Sequence, residues 1–107
     1  MTIFWIRKRQ QYKRVYSKGR KEVGRHLILY TWLHGRDEQR FGITVTRKIG
    51  TAVVRNRAKR RIREVIRQKM PVLSVGGDFV VVVRKGMTKA SFHEVRDELL
   101  HLVRKYT

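Results

Sequence analysis

The segment FVVVV, residues 79–83, places five apolar residues in a row and constrains the fold more than any other part of the chain. A strand with one solvent-exposed face alternates apolar and polar residues, whereas a strand that is apolar at every position is covered on both faces. The preceding VGGD is typical of a turn. We therefore predict that residues 79–83 form a central strand of a sheet.

Two more strands are predicted earlier in the chain. The segment RHLILYTWL is rich in β-branched and aromatic residues, and FGITVTRK alternates apolar residues with glycine and threonine. The intervening HGRDEQR supplies turn residues. The two segments are therefore expected to pair as an antiparallel hairpin with one drier face.

A first and a last helix are predicted from periodicity and capping. The segment RQQYKRVYSKG places Tyr12 and Tyr16 at helical spacing and ends in glycine, which predicts a short helix over residues 10–18. The segment SFHEVRDELLHLVRKY opens with a capping box of Ser91 and Glu94 and continues with apolar residues on one side. This last helix is expected to cover the sheet.

The middle helix is predicted to begin after Thr51, whose hydroxyl can cap it, and to run from Ala52 through Arg67 before Pro71 ends it. At about 100° per residue, its apolar side chains gather in an arc of roughly 120° that packs on the sheet: Val54, Ala58, Ile62, Val65 and Ile66. Basic side chains occupy the rest of the helix surface and stay available to a partner.

The predicted order of elements is α, β, β, α, β, α, with room for one extra short strand. This order favours an α+β fold, in the form of a two-layer sandwich of helices and a sheet. A chain of 107 residues is one domain by length, and no repeat, linker or low-complexity tract divides it. We therefore expect a single domain over residues 1–107.

The charge of the chain indicates a partner outside the molecule. It has 27 Lys and Arg residues against 8 Asp and Glu, a formal net charge of +19 and a pI near 11.5. Such a field attracts polyanions, and nucleic acid is the leading candidate. Membrane binding normally adds an apolar span or an amphipathic helix with exposed aromatic residues, and the apolar start of MTIFWIRKRQ is too short for a secretory signal. We expect a cytoplasmic protein without a membrane partner.

The polypeptide offers little for catalysis or metal binding by its own groups. It has no cysteine, its carboxylates do not cluster along the sequence, and it contains no phosphate-binding loop or nucleophile elbow. The four histidines are scattered without metal-ligand spacing: His26, His34, His93 and His101. We expect neither an active site, nor a metal site, nor a small-molecule substrate in the protein itself.

Binding is better supported than catalysis. The segment VVRNRAKRRIREVIR, residues 53–67, carries seven basic residues and a single acid, Glu64, and therefore lacks the repeated acidic partners at i,i+4 that are typical of a solvated helix face. Tyr12 and Tyr16 lie one helical turn apart and either present two rings to an unpaired strand or pack in the core, an alternative that the residues leave open. Trp5 and Trp32 are expected to pack in the core.

The run RKIGTAVVRNRAKRRIRE, residues 47–64, resembles the signature of the bacterial ribonuclease P protein subunit. The similarity extends from YKRVYSKG through FGITVTRKIG and DFVVVVRKG to the last helix. In that family the protein joins a large catalytic RNA, and the ribonucleoprotein removes the 5′ leader of precursor tRNA by endonucleolytic hydrolysis. The resemblance implies that the RNA carries the chemistry and its Mg²⁺ ions, while the protein binds ribonuclease P RNA and precursor tRNA.

The resemblance also implies roles for individual residues. A cleft between the first helix and the sheet would hold the single-stranded leader with Tyr12, Tyr16, Thr44, Thr46 and Lys48. The basic helix would contact the catalytic RNA and its phosphates with Arg55, Asn56, Arg57, Lys59, Arg60, Arg61, Arg63 and Arg67. The chain departs from the commoner pattern, which has phenylalanine at both tyrosine positions and an acidic residue near RQQ.

The family resemblance implies one further property of the fold. It implies a left-handed strand-helix-strand crossover around the basic helix, which is shared with a ribosomal-protein domain type. General topology rules predict a right-handed crossover instead.

Two other functions stay open at this point. A ribosomal protein or other structural RNA-binding module would share the charge and size, and co-purification with ribosomal subunits at high salt would support it. A protein nuclease that works without RNA would show metal-dependent cleavage that is lost when an acidic residue is replaced. The arginine-rich run and the paired tyrosines favour the ribonuclease P interpretation.

Overall fold

A computed structural model describes residues 3–107, which form one five-stranded sheet and three α-helices. In chain order the strands are β1 (Ile3–Trp5), β2 (Arg20–Val23), β3 (Leu27–Trp32), β4 (Gln39–Thr44) and β5 (Gly77–Val83). The helices are α1 (Arg9–Lys18), α2 (Ala52–Lys69) and α3 (Phe92–Leu102). The predicted α+β class is confirmed, and two short strands, β1 and β2, are present where the prediction allowed for one.

The order of strands across the sheet is β1-β4-β5-β3-β2, with β5 in the centre as predicted. β5 pairs with β3 in antiparallel and with β4 in parallel orientation. The predicted β3–β4 hairpin is therefore wrong, because β5 lies between these two strands. β4, α2 and β5 instead form a parallel crossover around the basic helix.

Helices lie on both faces of this sheet. α2 and α3 pack on one face, where Phe41 and Phe79 stack with ring centroids 5.1 Å apart and Tyr106 meets Phe79 edge-on at 5.9 Å. α1 packs on the opposite face, where Val15 and Val80 are fully buried. α1 thus adds a partial third layer to the predicted sandwich, because β5 is apolar on both of its faces.

The predicted cap and apolar arc of α2 are confirmed. The Thr51 Oγ1 accepts a hydrogen bond from the Val54 N–H at 3.3 Å, and the helix ends two residues before Pro71. Val54 is half-buried. The other residues of the arc are buried: Ala58, Ile62, Val65 and Ile66.

The capping box of α3 is also present and is suited to a stability test. The Ser91 Oγ accepts from the Glu94 N–H at 3.1 Å, while the Glu94 carboxylate accepts from the Ser91 N–H at 3.1 Å. Ser91→Ala should lower the free energy of unfolding by about 1 kcal/mol, because one N–H at the start of α3 loses its acceptor. Equilibrium urea denaturation measures this difference, and an unchanged midpoint would contradict the assignment.

Glu94→Gln is the matched control, because glutamine can accept the same hydrogen bond without titrating. The Ser91 backbone N–H lowers the pKa of the Glu94 carboxyl below its ordinary value of 4.5. A lowered folded-state pKa contributes stability that is present above the unfolded pKa and is lost as the pH falls through the folded value. The stability advantage of the carboxylate over Glu94→Gln should therefore shrink as the pH falls below 4.5.

Candidate nucleic-acid interface

Helix α1 crosses its face of the sheet above one row of residues. That row consists of Gly42, Val80 and Tyr30, which are register partners on β4, β5 and β3. Val15, near the middle of α1, packs with Val80. Glycine at position 42 leaves room for the helix, since a Cβ there would lie 2.6 Å from the Tyr12 ring. α1 therefore divides this face of the sheet into two grooves, one along each flank.

The two flanks of α1 carry different residues. Successive helical residues are 100° apart, so with Val15 toward the sheet, Tyr12 and Tyr16 point roughly 60–100° to one side. Arg14 and Lys18 point by the same angles to the other side. No residue in the first turn of α1 is acidic, and none follows in RQQYKRVYSK. One flank is therefore aromatic and the other cationic.

The aromatic flank forms what we name the tyrosine cleft, defined by Tyr12, Tyr16, Tyr30 and Thr44. The ring centroids of Tyr12 and Tyr16 lie 6.5 Å apart, and Tyr30 meets Tyr16 edge-on at 4.9 Å. The Tyr16 hydroxyl and the Thr44 Oγ1 share a hydrogen bond of 2.6 Å. An open groove of about 490 Å³ runs along the rings of Tyr12 and Tyr16. Its basic lining residues are Arg7, Arg9 and Lys13.

The phenol of Tyr16 stays neutral in this cleft. Burial raises the pKa of Tyr16 above its ordinary value of 10.0, and this effect is larger than the lowering by the hydrogen bond with Thr44. Tyr16 as a whole remains 38% exposed. Tyr16 therefore offers an uncharged aromatic surface to a ligand and does not repel a polyanion.

The predicted cleft residues are only partly brought together. Tyr12, Tyr16 and Thr44 line the same groove. Thr46 and Lys48 are exposed and lie beyond the end of β4, in and just before a 3₁₀ turn. Tyr30 was not predicted as a cleft residue, although the alternation of LILYTW places it on the opposite side of β3 from the main core.

The eight residues of α2 that were predicted to contact RNA fall into two groups. Five of them are exposed: Asn56, Arg57, Arg60, Arg63 and Arg67. Three are half-buried: Arg55, Lys59 and Arg61. Among residues 3–107, none of the cationic side chains of α2 forms an ion pair. The exposed positive charge of α2 is therefore not neutralised within the described part of the molecule.

Two arginines of α2 make contacts within the protein. The Arg61 Nη1 donates to the Ala90 carbonyl at 2.8 Å and ties α2 to the segment before α3. The Arg63 guanidinium lies over the Trp5 ring, 5.6 Å from its centroid. Trp5 is half-buried and packs against the main core cluster, at its margin. Arg61 thus stabilises the packing of α2 on this segment, whereas the charge of Arg63 stays exposed at the β1 edge of the sheet.

The described residues provide no evident metal centre. Within residues 3–107, no three His, Asp or Glu side chains come together as possible metal ligands. No helix in this part of the chain combines the length and apolar character needed to cross a membrane. The chemistry that these surfaces support is the binding of an anionic, ring-bearing polymer.

The chain is similar to known proteins over almost its whole length. The model of the family described as Ribonuclease P matches residues 5–107. The ribonuclease P protein component of Bacillus velezensis is 37% identical over 101 residues, covering 94% of this chain and 86% of that protein. The corresponding protein of Syntrophomonas wolfei is 36% identical over 100 residues, covering 94% and 84%.

Solved structures agree with the sequence matches. The RNase P protein from Thermotoga maritima superposes with a TM-score of 0.86 at 31% identity, covering 95% of this chain and 96% of that one. The RNase P protein of Staphylococcus aureus gives a TM-score of 0.85 at 29% identity, covering 95% and 94%. Both the order of elements and nearly the whole length of the chain are thus shared with these proteins.

Proposed function

This chain belongs to the ribonuclease P protein family, and from this premise we propose that it binds ribonuclease P RNA through α2 and the 5′ leader of precursor tRNA in the tyrosine cleft. As a ribonuclease P protein component it is part of a ribonucleoprotein endoribonuclease of tRNA processing. We propose that the protein binds both RNAs and that each of the two surfaces binds a different one. We further propose that the protein acts in the cytoplasm.

The observation that carries the proposal is the tyrosine cleft. The rings of Tyr12 and Tyr16 line a groove whose basic lining residues are Arg7, Arg9 and Lys13, and the Tyr30 ring supports Tyr16 edge-on. Nucleobases stack on aromatic rings irrespective of sequence, at about 1 to 3 kcal/mol per base, and cations alongside track the phosphates. This combination suits a single strand, whose bases are free to stack. The 5′ leader is the single-stranded part of the substrate.

The exposed face of α2 suits a different ligand. It carries Arg57, Arg60, Arg63 and Arg67, and within residues 3–107 the contact of Arg63 with Trp5 is the only cation–ring contact of these four, so this face offers charge rather than a stacking platform. Cations that neutralise phosphates release condensed counterions and make affinity strongly dependent on salt. A folded RNA presents dense phosphates over a large surface. We therefore assign α2 to ribonuclease P RNA, with Thr46 and Lys48 between the two surfaces.

The proposal leaves hydrolysis to the RNA. The described residues do not bring together a set of carboxylates that would hold Mg²⁺, so the protein does not fit the part of a metal-binding catalyst. We propose that Mg²⁺ is held mainly by the RNA. The protein contributes substrate affinity, and its positive charge reduces the repulsion between RNA segments that meet at the cleavage site.

Reconstitution at low Mg²⁺ tests this function. The purified protein is mixed with a bacterial ribonuclease P RNA at a Mg²⁺ concentration where the RNA alone cleaves poorly, and the 5′ end of a precursor tRNA is mapped. Correct cleavage should appear only when both components are present. Tight RNA binding without any stimulation would contradict the proposal and favour a structural or ribosomal RNA-binding protein. Metal-dependent cleavage by the protein alone would favour a protein nuclease.

A further inference from the structure

The second groove beside α1 lies on its cationic flank, opposite the tyrosine cleft. Its floor is the next row of the sheet on that face, where Arg40, Asp78 and Trp32 are register partners on β4, β5 and β3. The groove has a volume of about 550 Å³. We name it the Trp32 pocket and define it by Lys8, Arg14, Trp32, His34, Arg36 and Arg40.

The Trp32 ring is the aromatic wall of this pocket. Trp32 is half-buried and packs against the smaller core cluster beneath α1. The Arg14 guanidinium lies 5.5 Å and the Lys18 ammonium 5.7 Å from its ring centroid. The His34 ring meets it edge-on at 5.8 Å. Both cations lie over the ring on flexible side chains that are exposed, so an indole surface and charge for a phosphate are present at one place.

The positive charge of the pocket is only partly compensated. Asp78 is 1% exposed, and its Oδ1 accepts from the Arg40 Nε at 2.7 Å and lies 3.2 Å from the His34 Nε2. This single buried acid balances Arg40. Lys8, Arg14 and Arg36 form no ion pair among residues 3–107. An anion entering the pocket therefore meets net positive charge.

The pocket is also held in shape by contacts within the protein. The His34 Nδ1 accepts from the Arg36 N–H at 3.1 Å, which fixes the turn after β3. The ion pair of Arg40 with Asp78 joins β4 to β5 beneath it. A pocket whose walls are fixed before binding loses less conformational entropy when a ligand is bound. These contacts favour a binding site over a loosely packed surface.

We propose that the Trp32 pocket is a second site for single-stranded RNA, which takes one unpaired nucleotide outside the tyrosine cleft. The base stacks on Trp32 in place of the exposed Arg14 side chain, and Arg14 and Arg36 then contact the adjoining phosphates. An acidic peptide would satisfy the charges but would leave the indole face without a flat partner. The strand comes from either of two sources: the part of the leader beyond the tyrosine cleft, which passes around the N-terminal end of α1, or an unpaired segment of the catalytic RNA.

Tryptophan fluorescence tests the site directly. The Trp5→Phe variant leaves Trp32 as the remaining tryptophan, and stacking of a base should quench its emission when a short single-stranded oligoribonucleotide is added. In the same background, Arg14→Gln with Arg36→Gln should weaken this binding about tenfold through the lost phosphate contacts. Arg104→Gln, which removes an exposed charge near the end of the chain, is the control and should change affinity less.

Substitution of the ring in the full-length protein then identifies the source of the strand. Trp32→Leu keeps an apolar side chain on β3, and circular dichroism with thermal unfolding verifies that it folds. The holoenzyme is titrated with precursor tRNAs whose leaders are about 4 and about 12 nucleotides long, which brackets a cleft of ordinary site size. A loss of about tenfold for the long leader alone assigns the pocket to the leader, whereas an equal loss in affinity for ribonuclease P RNA assigns it to the catalytic RNA.

The proposal is overturned if the emission of Trp32 does not respond to any RNA and Trp32→Leu binds every RNA as the unsubstituted chain does. If Trp32→Leu does not fold, the Arg14→Gln, Arg36→Gln pair decides in its place, since both residues are exposed. The fluorescence test needs no catalytic RNA. Failure of the Trp32 pocket is therefore distinguishable from failure of the proposed subunit function, which the reconstitution measures.

Discussion

Replacing Arg60 and Arg63 together by glutamine should weaken the binding of ribonuclease P RNA about 25- to 60-fold at ~0.1 M salt. Both side chains are exposed, and neither forms an ion pair among the described residues. Each phosphate contact contributes about 0.7 to 0.9 to the slope of log affinity against log salt. Two contacts therefore contribute about 25- to 60-fold to the affinity at ~0.1 M salt relative to ~1 M salt, where this contribution vanishes. Filter binding at several salt concentrations measures both the affinity and the slope.

The lysine pair, Arg60→Lys with Arg63→Lys, is the matched control for this prediction. It keeps both charges and should leave the slope unchanged, whatever it does to geometry. Arg61→Gln provides a second comparison, because the Arg61 Nη1 donates to the Ala90 carbonyl. Compared with the glutamine pair, Arg61→Gln should lower the free energy of unfolding more and the salt slope less. A glutamine pair with the slope of the unsubstituted protein would show that α2 does not contact RNA phosphates at these two positions.

The elements that the sequence predicts well are those with local signals. The capping hydroxyls of Thr51 and Ser91 and the apolar arc of α2 each depend on residues within a few positions of one another, and all are present in the structure. The central position of β5 follows from its continuous apolar run. Local hydrogen bonds and periodicity are sufficient for such predictions, since no distant residue competes with them.

The pairing of strands was predicted less well because it is not local. The turn residues between β3 and β4 suggested a hairpin, but they only reverse the chain and do not decide which edge β4 takes. The apolar strand β5 buries most of its surface when it has a strand on each side, and it lies between β3 and β4. β2 was missed because three of its four residues, RKEV, are charged and it lies at the edge of the sheet, where few side chains are buried.

The two grooves beside α1 required the structure for a related reason. Tyr30 lies 14 positions beyond Tyr16 in the chain but meets it at 4.9 Å, because α1 crosses the strand that carries Tyr30. The helical spacing of Tyr12 and Tyr16 did indicate a pair of rings. It did not indicate that Arg14 and Lys18 would find a second ring, Trp32, on the other flank. Contacts between elements depend on the register of the sheet, which the sequence pattern leaves undetermined.

Tyr16→Leu should weaken the binding of precursor tRNA to the holoenzyme about 5- to 150-fold, the equivalent of the ~1 to 3 kcal/mol carried by one stacked base. Tyr16 is 38% exposed, and its side chain is held in place by Tyr30 and by the hydrogen bond with Thr44. Leucine keeps an apolar contact with Tyr30 but has no flat surface for a base. Equilibrium titration with a precursor tRNA and with the leaderless tRNA measures the effect, which should be confined to the precursor.

Tyr16→Phe separates the ring from its hydroxyl in the same assay. Phenylalanine keeps the stacking surface and loses only the hydrogen bond with Thr44, a contribution of about 0.5 to 1.5 kcal/mol to the stability of the cleft. Because burial keeps the phenol of Tyr16 protonated, neither variant should change the pH dependence of leader binding between pH ~6 and ~9. If stacking is the source of affinity, Tyr16→Phe binds the precursor nearly as well as the unsubstituted protein while Tyr16→Leu does not. Equal losses for precursor and leaderless tRNA would instead place the effect of Tyr16 in the packing of α1 on the sheet, outside leader recognition.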